Sequence, residues 1–211
     1  KLAIQKIANR NPFALPNRLW EYLLQQSGID TGIRWADLPA LKQNRLIKNF
    51  KIKEIIIVGI DNTNDRLEEY SNSEKGKNYL QFIITELKPF IDSNFRTLTD
   101  RNNTAIMGSS MGGLISFLAA WNHPEIFSKA GCMSSSFYYH SDHAINLVKN
   151  YCGHKKDIKI YIDHGEDGLV RGQQMFCALT QKGFVIGTDI DYFYDPGAEH
   201  HEKEWAKRLE R

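Results

Sequence analysis

Ala105-Ile106-Met107-Gly108-Ser109-Ser110-Met111-Gly112-Gly113-Leu114 carries the pattern G-x-S-x-G between a short apolar run and the helical stretch Leu114 to Trp121. A strand that ends in this pattern and turns at once into a helix lifts its central serine above the sheet on a strained turn. Glycine is expected at 108 and 112, where a Cβ would collide with neighbouring chain. The helix N-terminus beneath the serine favours developing negative charge. Ser109 is the rival, but only Ser110 has glycine at both minus two and plus two. The pattern by itself also describes a Gly/Ser-rich turn, so its context decides.

That context is a series of βα units. From about residue 54 onward, short β-branched apolar runs alternate with longer amphipathic stretches, the pattern of a parallel sheet covered by helices. Strands are predicted at Glu54 to Ile60, Thr104 to Met107, Lys129 to Met133, Ile158 to Asp163 and Asp189 to Tyr194. Apolar residues at three- and four-residue spacing predict helices at Tyr79 to Asp92, Met111 to Asn122, Ala144 to Tyr151, Gly172 to Lys182 and Glu202 to Leu209. The polar stretch Asn62 to Asn78 is predicted as a long loop. In the first 50 residues, prolines at 12, 16 and 39 interrupt the pattern, and only Leu41 to Phe50 is predicted helical. The fold class is α/β, a mostly parallel sheet with helices on both faces.

A chain of 211 residues suits one domain, with an irregular part to residue 50 and the core after it. Lys and Arg total 27 against 25 for Asp and Glu, a net charge of +2 without basic blocks, so nothing asks for nucleic acid. No apolar run approaches the roughly 20 residues of a membrane-spanning helix. Cys132, Cys152 and Cys177 lack the number and spacing of a disulfide framework or a zinc site. Lys1 is not followed by an apolar signal-like segment. The compartment stays open, with the cytoplasm favoured unless a signal segment was trimmed upstream.

A serine hydroxyl at neutral pH needs a positioned imidazole to take its proton. When the serine sits on such an elbow, an acid and then a histidine follow it in chain order, the histidine on the loop after the last strand. Here that loop is Asp195 to Glu202, where His200 and His201 both qualify. The acid is expected after the preceding strand, in His164 to Val170; Asp167, next to Gly168, is the choice and Glu166 the alternative, while both also suit a helix start. The amide of Met111 is expected to donate to an oxyanion. A second oxyanion donor is not identifiable.

Further motifs are in the same order as in a known family. Val58-Gly59-Ile60-Asp61-Asn62 with Arg66, Glu69 and Tyr70, then Glu86 to Asp92, the GSSMGG elbow, His123 to Phe127, Ser134 to Phe137, and the closing Glu199, His200, Glu202 and Trp205 resemble the Putative esterase group of α/β hydrolases. That group includes enterochelin-esterase-like proteins, feruloyl and acetylxylan esterases, and esterase D. The resemblance covers roughly residues 46 to 209. It implies an α/β-hydrolase fold with Ser110 as nucleophile, and His200, five residues before Trp205, as base. Relatives carry an earlier strand ending in a D-G-x-N-like turn that helps build the oxyanion hole. Here only Ile4 to Ala8 could be its remnant, so the first strands are expected to be lacking.

The expected activity is hydrolysis of a small-molecule carboxylic ester through an acyl-enzyme, without metal or organic cofactor. Acyl transfer to another alcohol uses the same three residues, and a non-catalytic binding protein is the reading from another class. Asn62, Arg66 and Phe137 are expected to contact substrate. For Phe137 and the neighbouring tyrosines, a core role is equally expected.

Overall fold

In the computed structural model of this chain, residues 55–60 and 62–209 are described. The chain divides into two compact units; the larger is Thr63–Trp205, and residues 55–60, 62 and 206–209 belong to the smaller. The predicted elements at Ile4 to Ala8 and Leu41 to Phe50 lie outside the described residues.

In the larger unit the chain opens with α1 (Arg66–Glu69), α2 (Glu74–Phe82), a π turn (Ile83–Leu87) and α3 (Lys88–Asn94). It continues through β1 (Ala105–Ser109), α4 (Met111–Asn122), β2 (Lys129–Met133), α5 (Tyr139–Lys149), β3 (Lys159–His164), α6 (Leu169–Gln181) and β4 (Ile190–Tyr194), and the last helix is α7 (Glu202–Arg208). The four strands form one parallel sheet in the order β1-β2-β3-β4. Each step between parallel neighbours requires a crossover, and α4, α5 and α6 supply them as one contiguous layer.

Alternation along the strands builds the core. Ile106, Ala130, Ile160 and Ile190 lie side by side, as do Gly108, Cys132, Ile162 and Tyr192. Ala130, Cys132, Ile160, Ile162 and Ile190 are buried. α4 is buried almost all round, because it packs on β1 and β2 and touches α5 as well. Its Phe117 and Trp121 rings stack at 5.6 Å, and Trp121 also meets Tyr151 edge-on. The register runs Ser109, Met133, Asp163, Phe193 across the sheet, so the loops after all four strands leave from one edge. In open parallel sheets that edge is where ligands bind.

The four strands of the sheet fall within one residue of their predicted starts, and β1 and β3 run on slightly further. The helix predicted at Ala144 to Tyr151 is assigned from Tyr139 to Lys149, with left-handed backbone at His140, Ser141 and Asp142 breaking its first turn, and three further regions differ. Asn62 to Asn78, predicted as loop, holds α1 and the start of α2; the Ser73 side chain caps α2 by accepting from the Gly76 amide at 3.2 Å. A Cβ on Gly76 would lie 1.8 Å from the Ser71 carbonyl oxygen. Polar composition hides helical turns that stand on caps rather than on an apolar stripe. The helix predicted at Tyr79 to Asp92 contains the π turn just before Pro89, a residue with no amide to donate to the carbonyl four residues back. Residues 55–60, part of the stretch predicted as a strand at Glu54 to Ile60, form no strand with other described residues, and Ile55 and Ile56 are 53% and 38% exposed.

Candidate active site

The turn at Ser110 is held in a conformation that its side chain disfavours. Ser110 has φ 57° and ψ −122°, which costs about 1–3 kcal/mol and persists only where the surroundings enforce it. They do so from both strands. The Ser110 amide donates to the Met133 carbonyl at 2.9 Å. Its own carbonyl accepts from the amides of Gly113, Leu114 and Ser136 at 3.1, 3.2 and 3.1 Å. The Ser110 hydroxyl lies 3.3 Å from that of Ser136, a neighbour that the linear pattern did not single out as functional. Met111 is the first residue of α4, whose leading amides have no intrahelical acceptor.

The glycines of the elbow are not equivalent, and the expectation for Gly112 is corrected. A Cβ on Gly108 would lie 2.6 Å from the Gly112 carbonyl carbon, backbone against backbone. A Cβ on Gly113 would lie 2.0 Å from Ser135 Oγ, whereas one on Gly112 would meet nothing nearer than a Tyr70 ring carbon at 4.0 Å. Gly112 offers Gly108 only its backbone, which any residue would supply, and has room for a side chain of its own. Gly108→Ala is expected to lower unfolding stability by about 1–3 kcal/mol in urea titration, and Gly112→Ala to keep or raise it.

Two further strand ends bring together the loops in which the acid and the base are expected. At the end of β3, His164 is 1% exposed. Its Nδ1 faces the Gly165 carbonyl at 2.9 Å and so carries the proton, leaving Nε2 to accept from the Tyr192 hydroxyl at 2.6 Å. With both nitrogens engaged, His164 is a structural residue. Next to it, Glu166 Oε1 accepts from the Tyr194 hydroxyl and from the Gly197 amide at 3.1 Å. Those bonds, the tyrosine first, hold its carboxyl below the usual glutamate range. Asp167 lies in the single 3-10 turn Glu166–Gly168 that leads into α6; its side chain lies outside the described part. Asp163 is buried, with Oδ1 accepting from the Ser134 amide at 3.2 Å.

After β4 the two candidate histidines are in different positions. His201 begins α7: its Nδ1 accepts from the Lys203 amide at 3.1 Å, and its carbonyl accepts from Glu204 and Trp205 at 2.9 and 3.1 Å. That is the geometry of a helix cap. His200 is exposed, with its ring edge-on to Trp205 at 5.0 Å and 86°.

Of the residues expected at the substrate, Phe137 is corrected. It is 1% exposed and stands edge-on to Phe117 at 5.8 Å, so its ring belongs to the core beside α4. Tyr138, 60% exposed, is the aromatic this loop presents to solvent. Arg66 lies over the Tyr70 ring at 5.2 Å, and Tyr70 is the residue that a side chain at Gly112 would approach. Asn62 is exposed in the smaller unit. Among the described residues no His, Cys, Asp or Glu group could hold a metal ion, and no helix is long and apolar enough to cross a membrane.

A serine forced into a strained strand-to-helix turn, above a parallel sheet whose later strand ends carry an acid loop and a histidine loop, defines an α/β hydrolase. The chain belongs to the Putative esterase family, which it matches over residues 6–211, and is by class a hydrolase of ester bonds. It is 26% identical over 183 residues to YbbA, an uncharacterized protein of Bacillus subtilis, covering 75% of this chain and 72% of that one. To an endo-1,4-beta-xylanase/feruloyl esterase of Xylanibacter ruminicola it is 32% identical over 176 residues, which are 81% of this chain but 22% of that protein. Among solved structures, the ferric enterobactin esterase of Salmonella typhimurium shares its fold with a TM-score of 0.68 at 19% identity, over 95% of this chain and 50% of that one. The BES protein of Bacillus cereus does so with a TM-score of 0.60 at 15% identity, over 90% and 80%.

Proposed function

We propose that the protein hydrolyses a carboxylic ester through an acyl-enzyme on Ser110, with His200 as general base and Asp167 as the acid that orients it. Ser110 Oγ attacks the ester carbonyl while His200 takes its proton; the tetrahedral oxyanion is met by the Met111 amide at the start of α4. Collapse expels the alcohol, which leaves with the proton from His200. A water then repeats the sequence and frees the acid, so no metal or organic cofactor is required. The observation that carries this reading is the locked, strained backbone of Ser110. Two others support it: His201 gives its Nδ1 to a helix cap, which favours His200 as base, and Glu166 spends its carboxylate on the Gly197 amide and the Tyr194 hydroxyl, which favours Asp167 as acid. The feruloyl esterase relative directs substrate trials to aryl-acyl esters, with Arg66 as a substrate contact.

Intact mass after incubation with a fluorophosphonate tests the reading. One adduct on the parent and none on Ser110→Ala is expected, together with turnover of p-nitrophenyl esters by the parent alone. No adduct on a folded parent overturns it.

A further inference from the structure

We propose that Glu166 is a positioning residue: its carboxylate clasps the loop that carries His200 and sets where the imidazole stands over the sheet edge. The inference rests on the assignment of His200 as base.

The loop from Asp195 to His200 starts at the edge of the sheet, where a base must be held to a fraction of an ångström. Its backbone is tied to the segment after β3 at successive points. The Asp195 amide donates to the His164 carbonyl at 2.9 Å, and the Glu166 amide donates to the Ala198 carbonyl at 3.1 Å. Beside these, Glu166 Oε1 accepts from the Gly197 amide in the loop and from the Tyr194 hydroxyl at the end of β4. Gly197, at φ 76°, makes the turn that aims its amide at the carboxylate. The fit is close: a Cβ on Gly165 would lie 2.0 Å from the Ala198 carbonyl oxygen. The described bonds of Glu166 to this loop and to the end of β4 are accepted by its side chain or donated by its amide. That is the pattern of a clasp and not of a catalytic acid, whose carboxylate bonds the imidazole Nδ1. Because these bonds also lower the Glu166 pKa, the carboxylate stays ionised throughout the range in which histidine side chains titrate. The clasp therefore stays closed over the working range of the base.

A clasp needs an acceptor at Oε1, not a charge, and glutamine supplies one in the same place. Glu166→Ala is expected to lower kcat for p-nitrophenyl acetate about 10- to 100-fold with KM nearly unchanged, and Glu166→Gln to recover it to within about threefold. Gly165→Ala, which pushes the loop away without altering a carboxylate, is expected to match Glu166→Ala. If Glu166→Gln is as slow as Glu166→Ala, the carboxylate acts by charge and the proposal fails. It fails equally if Glu166→Ala keeps the parent's kcat. Amide hydrogen exchange at Gly197 and Ala198 provides a readout independent of turnover: it is expected to quicken in Glu166→Ala and to stay slow in Glu166→Gln. Unchanged exchange in Glu166→Ala overturns the clasp whether or not Ser110 proves reactive.

Discussion

Replacing His200 by alanine is expected to lower kcat/KM for p-nitrophenyl acetate by about 10⁴-fold or more, the scale on which serine hydrolases lose activity without their base. The same replacement at His201 is expected to cost about 1 kcal/mol of stability, the usual worth of a helix cap, with activity within about tenfold of the parent. The contrast arises from where the nitrogens point. His201 gives Nδ1 to the Lys203 amide, so its ring is bound to its own helix. His200 rests against Trp205 and is exposed. Activity of the two variants, read beside urea midpoints, separates a base from a cap. A reversed order would move the base to His201.

The second large effect is on stability. Phe137→Ala is expected to destabilise the fold by about 3–5 kcal/mol, because it removes an aromatic ring from a filled core and leaves a cavity beside Phe117. Tyr138→Ala, one residue on, is expected to change stability by no more than about 0.5 kcal/mol. Urea unfolding of both variants checks this directly. If Phe137 instead faced the substrate, its loss would appear in KM with little change in the unfolding midpoint.

The adjacent pair also shows why composition and order reached only part of the site. Phe137-Tyr138-Tyr139 offers three aromatic side chains, and nothing in their order says which one turns inward. The ring of Phe137 is turned inward by α4, whose Phe117 stands edge-on to it. Gly113 was visible as a glycine, but its need for space comes from Ser135, a residue on another strand end. Ser136 became a neighbour of Ser110 for the same reason. Glu166 and Asp167 are alternatives for the acid because they are adjacent in the chain; the partners of the Glu166 carboxylate, Tyr194 and Gly197, come from β4 and the loop after it.

What the amino-acid sequence determined by itself was the parallel α/β architecture and the elbow. Hydrophobic period and the G-x-S-x-G spacing are local properties, written into consecutive residues and legible without a partner. What only the tertiary structure decided was how neighbours in the chain differ in what they meet: Phe137 from Tyr138, Gly112 from Gly113. Adjacent residues share composition and context, and differ only in which way the folded backbone directs each side chain and in what it meets there.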